Sequence, residues 1–245
     1  MLERDYLRRG VAEFVGTFAL IFVAAGGAAF ARTATDLALA NGLVIAVMVS
    51  AFGFISGGHF NPAVTLGFFV TRRIAPALAV WYWLVQFGGA ALAALLLKWV
   101  LPSGPENGGA LGVPALNSGI STGAAVVVEA VLTFFLVWVV FATAVDPRGS
   151  FQQIAGLAIG LTISFGVLMA YALTGAAMNP ARAFGPQLVG DHWAHGWIWY
   201  VGPFAGGVIA ATLYEILYLR PTQPVPVGPP ETGVVEPRPG DAATS

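Results

Sequence analysis

The residues with chemistry to offer are few, and they occur in pairs. Asn61-Pro62-Ala63 and Asn179-Pro180-Ala181 lie 118 positions apart, and Arg182 follows the second triplet. Asn is a favoured N-cap and Pro a favoured first helical residue, so each triplet reads as the start of a helix. If the Asn carbonyl oxygen accepts a backbone N–H of the first turn, the side-chain NH2 keeps two donors pointing away from the helix. The helix amino terminus adds partial positive charge and Arg182 adds a full one. This is chemistry for hydrogen bonding an uncharged polar guest and repelling cations. An acid/base pair is not indicated, because Glu13 and Glu129 come without a nucleophile or metal cluster. An isolated Asn-Pro is ordinarily a turn or a cap, so the register between the two triplets decides their meaning.

The elements that must position these residues are set by composition. Of 245 residues, 57% are hydrophobic and 9% charged, the net charge is -1, and there is no Cys. That is membrane composition. It offers no basic face for nucleic acid and no thiolate chemistry, and no metal or cofactor is expected. Apolar windows at about 11–31, 37–55, 77–100, 123–145, 152–173 and 196–219 are each long enough to span a bilayer as a helix. The first follows Arg4, Arg8 and Arg9 without a cleavage site, so it reads as a retained span. The runs from Pro62 to Val70 and Pro180 to Val189 are too short. At about 1.5 Å per residue they reach roughly 13 to 15 Å, half of a hydrocarbon core about 30 Å thick. They are expected to be re-entrant half-helices, with their non-helical approach buried in protein or lining water.

Arg4, Arg8, Arg9, Arg72, Arg73, Arg148 and Arg220 fall on one side of this topology, against Arg32 and Lys98 on the other, so both termini are expected to be cytoplasmic. Residues 1–10 read as a cytoplasmic N-terminus, 11–219 as the channel domain and 220–245 as a disordered cytoplasmic tail. Leu101 to Thr122, with Pro102-Ser103-Gly104-Pro105, reads as an irregular outer connector. Within the domain the chain repeats, about 11–101 against about 123–219. An offset of 118 aligns Gly42-Leu43 with Gly160-Leu161, Ser56-Gly57 with Thr174-Gly175, the two triplets, and Gly88-Gly89 with Gly206-Gly207. Glu13 meets Glu129 at an offset of 116, each with Thr four residues later. Each half has three spans and one half-helix, so the second half is inverted and the two half-helices enter from opposite faces. Their amino termini should meet near the midplane. The carbonyls of Gly57, Gly58 and His59, and of Gly175, Ala176 and Ala177, can then form ladders of acceptors. Glu13 and Glu129 are placed to hold the two re-entrant loops.

The run Ser56-Gly57-Gly58-His59-Phe60-Asn61-Pro62-Ala63-Val64-Thr65, paired with Asn179-Pro180-Ala181-Arg182, resembles the twin signatures of the aquaporin (major intrinsic protein) family, over about residues 8–219. The resemblance implies an all-α membrane protein, six transmembrane helices and two half-helices in a right-handed bundle, assembled as a homotetramer with one pore per monomer. It places the narrowest part of the pore at Asn41, Val167, Ala176 and Arg182, with His59 touching the lining. Strict water channels of the family have an aromatic ring and His at the first two places. Asn41 and Val167 imply a wider filter, and Ala183 after Arg182 departs from the glycerol-conducting branch, which has Asp there.

The expected function is a passive transmembrane channel for water and small neutral solutes that excludes protons and ions, in the cell membrane and surrounded by lipid. The alternatives are a channel mainly for ammonia, urea or another small neutral solute, and, more distantly, a coupled secondary transporter, which shares inverted repeats but wants an ion ligand at the midplane. A third is a junction-forming structural role. An enzyme is not expected.

Overall fold

A computed structural model describes residues 2–31, 33–101, 111–149 and 152–220. The expected disordered tail, from 221 on, and residues 102–110 of the expected outer connector lie outside the described residues.

Among the described residues, six long apolar helices are of spanning length. They are α1 (Leu2–Ala28), α2 (Ala34–Ser56), α4 (Pro76–Val100), α5 (Thr122–Val140), α6 (Ala155–Thr174) and α8 (Ile198–Tyr214). Two short ones, α3 (Pro62–Val70) and α7 (Pro180–Gly190), fall after α2 and α6. The chain is therefore an all-helical, multi-pass membrane protein. α1 begins at Leu2 rather than near residue 11, so the segment expected as a separate N-terminus is the first part of that helix from Leu2 on. Two contacts steady this first part. Arg9 Nε donates to Asp5 at 2.7 Å one turn earlier, and Trp81 Nε1 donates to Tyr6 O at 2.9 Å, so nothing interrupts the helix. α5 and α8 each run on into a π-helical turn, Phe141–Val145 and Glu215–Leu219, which the apolar pattern did not foretell.

The polarity of the bundle is turned inside out relative to a water-soluble protein. Phe54 and Trp99 are 85% and 82% exposed, while Glu13, Gln86 and Glu129 are completely buried. An apolar exterior costs nothing in hydrocarbon, so packing and internal hydrogen bonds hold the helices together. Small residues set the closest crossings. α2 packs chiefly on α6, and α1 and α5 pack on α4 and α8 in turn. At the α2–α6 crossing Gly42 and Gly160 face each other: a Cβ on Gly42 would lie 2.5 Å from Gly160 O, and one on Gly160 would fall onto Gly42 O. At the other two crossings, a Cβ on Gly89 would lie 2.6 Å from Phe14 O, and one on Gly206 would run into Ala130 O. Gly88 meets only an ordinary ring contact at 3.7 Å, so of that pair Gly89 makes the close approach. Each half-helix leans on the last span of the opposite half, α3 on α8 and α7 on α4, so neither half is complete alone.

The π-turns end in a polar knot. Asp146 accepts from Arg148 N and Nε, both at 2.9 Å, from Arg148 Nη2 at 2.6 Å and from Tyr214 Oη at 3.1 Å. Arg148 Nη2 also donates to Tyr218 O at 2.7 Å, joining the end of α5 to that of α8. The Arg148 side chain holds the Asp146 carboxyl well below the usual carboxylate range.

Two outcomes follow from these contacts. Gly206→Val should cost about 3 kcal/mol or more, because the obstructing atom is backbone. Gly123→Ala, where a Cβ meets nothing within 4 Å, should be neutral or stabilising; thermal unfolding of the detergent-solubilised protein measures both. A carboxyl depressed in the folded state contributes stability that is fully present above its unfolded value, about 3.9, and is lost as pH falls below it. Wild type should therefore unfold at higher temperature than Asp146→Asn at pH 7, with the gap closing below about pH 4; a gap independent of pH would exclude this assignment.

Candidate functional site

The site begins with the two helix starts. Asn61 caps α3 from an extended backbone (φ -154°, ψ 119°), its Oδ1 accepting from Ala63 N at 2.8 Å. Asn179 caps α7 in nearly the same conformation (φ -153°, ψ 112°), accepting from Ala181 N at 2.9 Å and Arg182 N at 3.3 Å. Pro62 and Pro180 follow as first helical residues, where their missing N–H costs nothing. The two tips are tied to each other. Asn61 Nδ2 donates to Met178 O and Asn179 Nδ2 to Phe60 O, both at 2.9 Å. Each side-chain amide therefore keeps one donor, not the two expected from the capping geometry alone. The cause lies in the residues before the caps. Phe60 (φ 46°) and Met178 (φ 52°) are in the left-handed region, and the turn there brings each carbonyl to the other half's Asn.

Behind each tip stands a buried carboxylate. Glu13 Oε1 accepts from Ser56 Oγ at 2.7 Å and His59 N at 2.9 Å, and Oε2 from Phe60 N at 2.7 Å and Gln86 Nε2 at 2.9 Å. Glu129 accepts from Thr174 Oγ1 at 2.7 Å, Ala177 N at 3.0 Å and Met178 N at 2.8 Å. Gly58 N and Ala176 N donate to Ser56 Oγ and Thr174 Oγ1. Three successive N–H groups in each half are thus drawn to one side. Across a trans peptide the preceding carbonyl points the opposite way. The carbonyls of Gly57, Gly58 and His59, and of Gly175, Ala176 and Ala177, accordingly face away from the carboxylates, and none accepts a hydrogen bond among the described residues. Tyr82 Oη donates to Ser56 O at 2.6 Å and Trp199 Nε1 to Thr174 O at 2.9 Å, pinning the ends of α2 and α6 in equivalent ways.

One cavity lies at the tied tips and another lies beside Arg182. The first, of about 30 Å³, is lined by Gly58, His59, Asn61 and Asn179 together with Ile45, Val49, Ile159 and Ile163. That is room for very few waters abreast. The other, of about 270 Å³, is lined by Gly112, Asn117, Tyr171, Gly175 and Arg182. Arg182 Nη1 donates to Gly112 O at 2.7 Å, while its buried Nε has no partner among the described residues. Asn41 and Val167 are buried one helical turn from Ile45 and Ile163, and Ala176 is buried in the loop before α7. Asn41 Nδ2 donates to Leu37 O of its own helix at 2.8 Å, so one of its donors is already used.

Several members of this constellation were not singled out beforehand. Ser56 and Thr174 were visible as a repeat match, though no role attached to them. Gln86, a lone amide within an apolar span, carried a signal that could have been used. Gly112 carried none, since a backbone acceptor leaves no mark on residue type.

The comparisons with known proteins agree with this geometry. The family model described as major intrinsic protein matches residues 2–214. Aquaporin TIP1-2 of Zea mays is 42% identical over 237 residues, covering 91% of each chain. Aquaporin-4 of Mus musculus is 40% identical over 215 residues, 84% of this chain and 66% of that one. The X-ray structure of the aquaglyceroporin from Plasmodium falciparum superposes with a TM-score of 0.79, covering 86% of this chain and 96% of that one at 24% identity, and so shares the fold. With a match extending over nearly the whole described bundle, the chain belongs to the major intrinsic protein family.

Proposed function

We propose that the chain is a passive channel that carries water in single file, admits small neutral solutes, and excludes protons and ions. It is a channel rather than an enzyme. The observation that carries this reading is the reciprocal tie between Asn61 and Asn179, which holds two helix amino termini face to face beside a cavity of about 30 Å³. A water passing the tips would give its oxygen to the remaining Asn donors and its hydrogens to the carbonyl ladders on either side. Two positive dipole ends and the Arg182 guanidinium oppose any cation on the same path. In this reading Gly57, Gly58 and His59, with Gly175, Ala176 and Ala177, supply acceptors, while Glu13 and Glu129 hold the loops. Asn41, Val167, Ala176 and Arg182 form the narrow outer filter. A second solute class is favoured by the same four residues, because Val167 and Ala176 are small and Asn41 is partly occupied by its own helix. Urea and ammonia would then pass alongside water. The chain would sit in the cell membrane with both termini cytoplasmic, as its arginine distribution supports, and assemble in lipid as a homotetramer.

In proteoliposomes, Arg182→Val should raise proton or cation leakage about tenfold or more, in keeping with the several kcal/mol that a fixed charge contributes in a dehydrated passage. Ion and proton currents equal to wild type would remove Arg182 from the filter. Stopped-flow scattering on wild-type vesicles should give water and urea permeabilities both above those of protein-free vesicles, and urea flux no faster than the bare bilayer would rule out the wide filter.

A further inference from the structure

The two halves differ where they would be expected to match. The first half carries His59, which lines the cavity of about 30 Å³, and with it Thr65 and Gln86, all buried. At the 118-residue offset the second half has Ala177, Ala183 and Phe204. The three polar residues form one hydrogen-bonded line from the Glu13 carboxylate to the cavity. Gln86 Nε2 donates to Glu13 Oε2 at 2.9 Å and to Thr65 Oγ1 at 3.0 Å, and Thr65 Oγ1 lies 3.0 Å from His59 Nδ1.

We infer that this line fixes the tautomer of His59, so that Nδ1 accepts and Nε2 carries the proton, giving the inner half of the passage a permanent N–H donor. Direction is set at the carboxylate end. Four donors converge on the two Glu13 oxygens, the pattern of an acceptor-only group. Beside it the Gln86 amide has to present nitrogen, since the flipped amide would set its oxygen against both Glu13 and Thr65. In this orientation Gln86 Oε1 is buried with no partner among the described residues. With the amide donating to Thr65 Oγ1, the hydroxyl proton is free to point elsewhere, and the His59 ring nitrogen is the acceptor within reach. The opposite tautomer would make Thr65 Oγ1 accept twice and leave its own proton buried without a partner, at a cost of about 1 to 3 kcal/mol. Phe68 (4.2 Å between ring centroids) and Tyr82 (5.2 Å) hold the imidazole in place, and among the described residues no hydrogen bond is made to Nε2.

The consequence for transport rests on the channel reading above: Thr65 and Gln86 become positioning residues that never touch the solute but decide what His59 offers it. A fixed N–H donor favours guests that present oxygen, water and urea among them. The second half has Ala177 at the equivalent place, so its loop offers a backbone acceptor there and no side-chain donor.

The test is magic-angle-spinning NMR of full-length protein in lipid, with ¹⁵N-labelled histidine and His192→Gln and His195→Gln to leave His59 as the single signal. At neutral pH the spectrum should show an unprotonated Nδ1 and a protonated Nε2. Thr65→Val should convert this to a mixture or to the other tautomer, Thr65→Ser should restore it, and water permeability should follow, falling about two- to fivefold in the valine variant as expected for one lost hydrogen bond. A protonated Nδ1 in the wild type, or a Thr65→Val spectrum identical to wild type, would overturn the inference. Because the wild-type spectrum alone decides the tautomer, a misfolded variant does not rescue it. The expected spectrum from vesicles that conduct no water would leave the wiring standing and overturn the channel reading instead.

Discussion

A peptide group that leaves a helix within a bilayer must be satisfied by the protein itself or by water in a cavity the protein encloses. The two stretches after α2 and α6 abandon helical hydrogen bonding inside the bundle, and the buried carboxylates of Glu13 and Glu129 are what makes that tolerable. Each gathers two consecutive backbone N–H groups and the hydroxyl that holds a third. An acceptor-only group is required, since any side chain with a donor of its own would compete for the same space. The free carbonyls on the opposite side follow from peptide planarity once the N–H groups are committed. The feature that makes a passage polar is thus the other face of the interaction that makes the loop possible.

The same constraint explains why the halves depend on each other. Capping satisfies only part of each half-helix start, and the surplus Asn amide donor goes to a carbonyl contributed by the opposite half. Packing repeats the exchange, with α3 on α8 and α7 on α4. Gly42 and Gly160 then let α2 and α6 approach until each glycine meets the other's backbone carbonyl. Tips, half-helices and central crossing all exchange partners between repeats, so the pseudo-twofold arrangement is a condition of stability as much as a trace of duplication.

Much of this was legible in the chain because its strongest signals are periodic or categorical. Span length, the brevity of the runs after Pro62 and Pro180, and an offset shared by glycines, triplets and hydroxyls fixed the count and placing of the helices. The errors have a common physical origin. α1 begins before the apolar window that marks its span, since the exposed Asp5 and Arg9, one turn apart, pair without leaving the helix. The Asn donors were counted from one half at a time, and the tie to Phe60 and Met178 depends on two left-handed residues that hydropathy does not mark. The same holds for Asn41, whose partner is a carbonyl of its own helix, and for Arg182, whose partner is Gly112. Side chains that bond to backbone are chosen by conformation, and conformation at single residues is where sequence patterns carry least.

What symmetry hides is equally instructive. The repeat alignment invites the two halves to be treated as copies, and at the carboxylates and caps they nearly are. Gln86 breaks the likeness, because Phe204 at the equivalent offset can neither donate to a carboxylate nor orient a hydroxyl. Glu13 accordingly receives a side-chain amide donor, whereas every donor to Glu129 is a hydroxyl or a backbone N–H. Backbone groups have invariant donor and acceptor roles, whereas the His59 imidazole, which lines the small cavity, has two tautomers. A buried charge acting through an amide and a hydroxyl is sufficient to choose between them, and it does so from one half of the molecule only.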